Sequence, residues 1–347
     1  MNTKLTLSIL DIGPIRSNQS AAECFNSMLE VARLGDRLGY HRYWLAEHHN
    51  VAAVAASHTS VFAPVIGANT NYIRIGGCVL LAHYPPFLVA EQMGIVEACF
   101  PGRVDLGIGR SSGADWATSS LLRGGRETTS EEGYVNDLTN LLALTRREGV
   151  SVEQNGLSYH FNAVPNADSA PSPWILGTSM YSAQLAAELG LPYAFGYHIR
   201  AEGAKEAIAL YKARFKPSSF LTEPKVLVSA IVVVGETDEE AQRLSLPQLH
   251  FMCAFRSGEP VQSQMLVEEA DDVDFPSRYD GLVAMFRKSW IIGSPDRAAE
   301  GVATLAAELG VSEIMINTVT AAYRSQPADR SPNREFTLEA LAARFPQ

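Results

Sequence analysis

The chain has 347 residues, of which 46% are hydrophobic and 19% charged, and its formal net charge is −10. This composition supplies a large core and excludes an intrinsically disordered chain. The acidic balance argues against nucleic acid or an anionic membrane as the main partner, although a local arginine and helix N-termini can still hold an anionic cofactor. Cys24, Cys78, Cys99 and Cys253 are scattered without a C-x-x-C pair, so neither a metal nor a disulfide framework is expected and a reducing compartment fits. No run approaches the roughly 18 apolar residues of a membrane span, and residues 1–10 lack the apolar stretch of a signal peptide. The expectation is a cytoplasmic protein.

In chain order, Leu5–Leu10 reads as a strand ending in a turn at Asp11-Ile12-Gly13-Pro14. Ser20 and Glu23 have capping-box spacing, and the apolar positions that follow keep helical spacing until Gly39. Arg42–Ala46 is the second strand and runs straight into Glu47-His48-His49. Ser57–Ala68 is a helix of small and apolar residues. Ile73–Leu81 is the third strand, Phe87–Cys99 the next helix and Val104–Ile108 the fourth strand, ending at Gly109-Arg110-Ser111-Ser112. A loop is expected up to Ser130, then a helix over Tyr134–Arg147 and a hairpin around Gln154-Asn155-Gly156. Trp174–Leu176 and Tyr193–Phe195 are strands five and six. Lys225–Val234 is the seventh, and Glu313–Val319 the eighth. Helices are expected over Tyr181–Leu189, Ala201–Phe215, Asp238–Gln248, Pro295–Leu309 and Phe336–Phe345. Residues 252–289 show little periodicity and many acids, the pattern of a functional lid or a disordered insertion. Eight alternations of strand and helix imply a parallel sheet with right-handed crossovers. At this length they favour one closed (β/α)8 TIM barrel spanning residues 1–347.

On such a barrel the loops after the strands share one face, where sites are built. Delivered there are Glu47, His48 and His49, then His83 and Tyr84, Arg110, Thr178 and Ser179, and Tyr197 and His198. The segment Gly177-Thr178-Ser179-Met180-Tyr181-Ser182 opens a helix with free N–H groups, so it is either a plain serine cap or a phosphate seat. Arg110 beside Gly109 either reaches a phosphate or flat ring, or covers the barrel mouth through a salt bridge. His48 and His49 are adjacent and point to opposite faces of a continuing strand. A shared metal is therefore not expected, and proton transfer or hydrogen bonding to a cofactor is the stronger reading.

Trp44-Leu45-Ala46-Glu47-His48-His49 resembles the strand-two signature of the bacterial luciferase-like flavin monooxygenases. The resemblance spans most of the chain. It continues through Ile73–Leu81, Ala90-Glu91-Gln92, Pro101–Arg110, Leu176–Ser179, Ala186–Pro192 and Ile292-Gly293-Ser294-Pro295. It implies an FMN-binding barrel in which reduced FMN, supplied by a separate flavin reductase, reacts with O2 to a C4a-(hydro)peroxide that oxygenates a small organic substrate. Carried over by position, His48 is the catalytic histidine with Glu47 beside it, and Arg110 contacts the flavin. Gly77, Cys78 and Val79 occupy the place where the family often has a non-proline cis peptide under the ring. Thr178, Ser179 and Ser182 match the phosphate binders, with Tyr197 nearby. His49, His83, Tyr84 and His198 are expected around the substrate, and residues 252–289 match the lid. A homodimer through the helices Ser57–Ala68 and Phe87–Cys99 is also implied. Two departures stand out: Leu81-Ala82-His83-Tyr84 replaces the usual Leu-Pro-x-His, and Gly109 stands where luciferase has a cysteine. Two other functions remain open on the same barrel, a deazaflavin (F420)-dependent oxidoreductase and a non-catalytic flavin-binding protein.

Overall fold

The β/α rhythm closes on itself. In the computed structural model, which describes residues 5–110, 113–125, 130–146, 148–165 and 167–346, eight parallel strands form a barrel. They are β1 (Thr6–Asp11), β2 (Arg42–Leu45), β3 (Arg74–Leu80), β4 (Val104–Gly109), β7 (Ser172–Gly177), β8 (Tyr193–Phe195), β9 (Val226–Val234) and β11 (Glu313–Asn317). Each strand hydrogen-bonds the next in that order, and β11 returns to β1. Between β4 and β7 lies an antiparallel hairpin, β5 (Val150–Gln154) and β6 (Leu157–Phe161), turned by Asn155 and Gly156. Both turn residues have positive φ, 53° and 73°, as a two-residue type I′ turn demands. A short strand not expected from the sequence, β10 (Ile291–Gly293), adds to the upper end of β9. Ser111 and Ser112 lie outside the described residues.

Helices α1 (Ala21–Leu38), α2 (Thr59–Ala68), α3 (Pro86–Cys99), α4 (Trp116–Leu122), α5 (Glu131–Leu144), α6 (Met180–Leu189) and α7 (Ala204–Arg214) alternate with the strands. The capping box expected at Ser20 and Glu23 starts α1, and Gly39, at φ 81°, ends it. Helix α4 falls inside the stretch read as a loop; Asp115 caps it by accepting from the Thr118 amide at 2.9 Å. The helices pack an outer apolar cluster against the strands. A second cluster fills the barrel interior with Leu10, Trp44, Trp174, Leu227, Ile231 and Met315.

The segment 252–289 is not patternless. Helix α8 (Asp238–Arg256) runs into it, and α9 (Val267–Asp271) and α10 (Asp280–Ser289) follow. Helix α9 has 5 residues, too few to show a period, whereas α10 has 10 and sets Leu282, Val283, Met285 and Phe286 against the interior. Val267 of α9, Phe286 of α10 and Tyr279 in the turn just before α10 belong to the same inner cluster as Leu10 and Val233. The chain finishes with α11 (Pro295–Leu309), stopped by Gly310 at φ 60°, and α12 (Pro332–Ala342). No helix among the described residues is long and apolar enough to cross a membrane.

A charged network seals the barrel at the N-terminal ends of its strands. Buried Arg42 binds Asp105 at 2.7 Å and Glu313 at 2.6 Å. Arg74 reaches the other Asp105 oxygen at 2.7 Å, and the Trp44 indole N–H donates to Asp105 at 2.9 Å. Burial pushes the Asp105 carboxyl up, but Arg42 and Arg74 outweigh it and hold the group below the usual carboxylate range. Trp44 thus ties the sealed floor to the open mouth.

Candidate active site

At the carboxyl ends of the strands lies a mostly apolar cavity of about 370 Å³. That is within the roughly 300–1,000 Å³ typical of small-molecule sites. Glu47, His48, Cys78, Arg110, Thr178, Ser179, Ser182 and His198 all line it. The second, third, fourth, fifth and sixth barrel strands therefore deliver to one space, as their order in the sheet requires.

His48 and Glu47 follow β2 directly. The His48 amide donates to the Ala56 carbonyl at 3.1 Å, which fixes the backbone, while its Nδ1 is buried and has no partner among the described residues. Burial holds the imidazole below its ordinary pKa, and the nearby Glu47 only partly offsets this. Glu47 is 3% exposed and accepts three hydrogen bonds: from the Leu80 amide at 3.1 Å, the Tyr84 hydroxyl at 2.7 Å and His49 Nε2 at 2.9 Å. Three donors around one carboxyl fix its direction without engaging His48.

His49, His83 and Tyr84, expected around the substrate, do not line the cavity. They build a ring cluster against Glu47, with His49 5.0 Å from His58 and 6.1 Å from His83, centre to centre. The split is made in the loop: β2 ends at Leu45, Glu47 and His48 both line the cavity, and His49 turns back to pair with Glu47. His58, which the sequence did not single out, completes that cluster.

Strand β3 brings Cys78 to the wall, and burial raises its thiol pKa well above normal. Gly77 and Val79 do not line the cavity. The non-proline cis bond expected near them is absent: the cis bond found among the described residues is Val164–Pro165. Gly76 and Gly77 instead take φ values of 150° and 144°. A Cβ on Gly77 would lie 2.1 Å from the Leu45 carbonyl oxygen, so glycine here permits close approach of β2. The same geometry puts the Cys78 sulfur beside Gly109, 3.4 Å from where a Cβ would stand. A thiol is thus supplied from β3 at a spot where β4 has none.

Arg110 lies after β4, with its side chain 43% exposed. It pairs with Glu131 at 2.9 Å and rests its guanidinium 5.0 Å from the Tyr181 ring centre. The salt-bridge reading of this arginine holds, and the residue also lines the cavity. Ser179 caps α6 by accepting from the Ser182 amide at 3.3 Å, and the Ser182 hydroxyl returns to the Ser179 carbonyl at 2.8 Å. A Cβ at Gly177 would meet Ser182 Oγ at 2.1 Å, so that glycine lets the turn fold over the helix end. The Tyr181 hydroxyl, buried, has no hydrogen-bond partner among the described residues. On the sixth-strand side, His198 Nδ1 contacts the Ser229 hydroxyl at 2.6 Å. Burial and the adjacent His48 lower the His198 pKa to about 4. Tyr197 faces a neighbouring hollow and not this cavity.

Tyr134, Tyr181, Ser229 and Met315 also line the cavity and were not foreseen. Inward alternation along the strands marks Ser229, next to Leu227 in the period-two pattern, and Met315. Tyr134 comes from a helix after the loop, and no sequence signal points to it.

The family model described as luciferase-like monooxygenase matches residues 6–313. A luciferase-like monooxygenase of Escherichia coli is 34% identical over 90% of this chain and 91% of its own. Among solved structures, apo-MsnO8 superposes with a TM-score of 0.84 at 29% identity, covering 98% of this chain and 99% of that one. The oxygenating constituent of a diketocamphane monooxygenase of Pseudomonas putida, solved with FMN, shares the fold with a TM-score of 0.70 at 18% identity, covering 98% and 97%. The barrel, its mouth and these matches agree, and the chain belongs to the luciferase-like monooxygenase family.

Proposed function

We propose that the protein is the oxygenase component of a two-component system, taking reduced FMN from a separate reductase and using O2 to oxygenate a small organic substrate. One observation carries this reading: Glu47–His48, Arg110 and the Ser179 turn open onto the same cavity. The residues fit a flavin. His48 Nδ1 and the Tyr181 hydroxyl are buried polar atoms on the cavity wall without protein partners, which calls for a polar ligand. Arg110 and the N-terminus of α6 suit a phosphate, with Thr178, Ser179 and Ser182 beside it. The apolar wall of Trp44, Leu80, Leu176 and Leu185 suits a flat ring. Gly77 and Val79 act here by shaping the strand on which Cys78 sits.

Reduced flavin, when bound, supplies the two electrons by which O2 is split between substrate and water. The chain does the rest. Its apolar walls exclude water. His48, kept neutral near pH 7 by burial, offers Nδ1 to accept or hold a proton, and Cys78 remains a thiol. The family match, and the FMN in the Pseudomonas putida enzyme, support this choice. We also read residues 1–347 as one unit and the assembly as a homodimer. Val61 at 70% exposure and Ile95 at 50% leave apolar side chains on α2 and α3 outside the barrel.

The test is titration with FMN, reduced FMN and F420, followed by a substrate screen under oxygen with a flavin reductase present. Binding of reduced FMN and O2-dependent product are expected. Anaerobic turnover with reduced F420 would overturn the reading.

A further inference from the structure

A second hollow of about 290 Å³ adjoins the cavity and shares His198 and Ile199 with it. Its wall is assembled from three separate elements: Arg200 after β8, Arg256 at the end of α8 and Lys288 in the last turn of α10. Met285 and Phe286 supply the apolar side. The one carboxylate in the wall, Glu202, stands 3.7 Å from Arg200. Arg256 and Lys288 form no ion pair with any described carboxylate, in a chain whose net charge is −10.

A cation in the last turn of a helix has an ordinary explanation, since it complements the helix dipole. That accounts for Arg256 and Lys288 one at a time. It does not account for both bordering the same hollow as a third cation from a different element. The main cavity is at the small end of ligand sites, so a flavin there leaves little space for a second molecule. The shared His198–Ile199 wall is where a second molecule would cross.

We infer that this hollow receives the anionic end of the substrate, a carboxylate or sulfonate, whose reacting end lies in the main cavity. The inference rests on the flavin reading of that cavity. Arg200, Arg256 and Lys288 surround the anion on three sides, and Phe286 and Met285 pack the carbon chain next to it. All three cations are exposed in the ligand-free chain, and each contact with the anion is charge-assisted.

The test uses the FMN-loaded protein and three probes, phenylthioacetic, levulinic and benzylsulfonic acids, each paired with its methyl ester. Binding is measured by calorimetry on the wild type and on the Arg256→Gln/Lys288→Gln double variant, whose fold is checked by circular dichroism. At least one acid is expected to bind about tenfold tighter than its ester, with the preference falling to about twofold in the double variant. FMN affinity should be the same in both proteins. The inference is overturned if no acid outbinds its ester, or if the preference survives the substitutions. It is equally overturned if the double variant loses its preference for FMN over riboflavin, which would make the hollow the flavin phosphate seat. If the wild type binds no FMN, the flavin reading fails by itself, and the acid–ester comparison on the flavin-free protein still decides this one.

Discussion

The Tyr84 hydroxyl donates to Glu47 at 2.7 Å although Tyr84 is not part of the cavity wall. Glu47 is on that wall, so the tyrosine acts on the site through the carboxyl it holds. Replacing Tyr84 by Phe keeps the ring and removes one of three donors. A hydrogen bond to a buried acid carries about 1–2 kcal/mol, so the unfolding free energy in urea should fall by about that much. An unchanged midpoint and slope would show that Glu47 finds its place without Tyr84.

His48 is a different case. Its Nδ1 has no partner among the described residues, so truncation removes little that supports the fold. His48→Ala is expected to keep the melting temperature near wild type. Product formation with reduced FMN and O2 should drop about a hundredfold, the usual scale for a lost proton-transfer group. Wild-type turnover in this variant would remove His48 from the chemistry.

The resemblance placed Gly77 at the flavin, yet it does not line the cavity and gives β2 backbone clearance. Gly77→Ala places a methyl group 2.1 Å from the Leu45 carbonyl at a φ of 144°, and β2 is too well paired to yield. Destabilisation above about 3 kcal/mol is expected, from overpacking and strain together. Gly102, with a φ of 75° and open space around its Cβ position, is the control. Gly102→Ala should cost only about 1 kcal/mol. Equal losses at the two positions in chemical denaturation would refute the steric account.

The floor of the barrel gives the largest effect. Asp105→Ala strips Arg42 and Arg74 of a shared buried carboxylate and leaves the Trp44 indole without its acceptor. Breaking a buried network at one member typically costs about 3–5 kcal/mol. Because Trp44 also lines the cavity, the same variant should change its fluorescence response to FMN. A loss under about 1 kcal/mol would mean that water replaces the carboxylate at the floor.

These cases show what a sequence carries and what it does not. The eight strands were legible because each is a short apolar run bounded by turns. The convergence of Glu47, Arg110 and Ser179 follows once the runs are placed in a barrel. The split between His48 and His49 was expected from alternation of a continuing strand, but β2 ends at Leu45 and the loop after it makes the split. Three things were not. Helix α9, with 5 residues, is too short to show a period, and the packing of Tyr279 and Phe286 on the interior appears only in three dimensions. The partnership of Tyr84 with Glu47 joins residues 37 apart, and nothing local in either segment announces it. At Gly77 the resemblance located the unusual backbone but not its form, because a cis bond and two glycines at high positive φ both relieve crowding between neighbouring strands.

His198 offers a test by pH. Its pKa is depressed from an ordinary 6.5 to about 4 by burial, with repulsion from His48 adding to it. The unfolded chain therefore binds a proton at this position between those two values while the folded chain does not. Stability must rise with pH through that window, and the contribution is lost as pH falls from 6.5 toward 4. For one histidine the effect is at most about 3 kcal/mol, reduced by any solvent reaching the ring. Carboxylates titrate in the same range, so the informative quantity is the difference between the wild type and His198→Gln. That difference in urea midpoint should favour the wild type progressively as pH rises from 4.5 to 7, and the His198 ring protons should show no titration by NMR down to about pH 5. A difference that is flat with pH, or a ring that titrates near 6.5, would place His198 in water and not against Ser229 in the cavity wall.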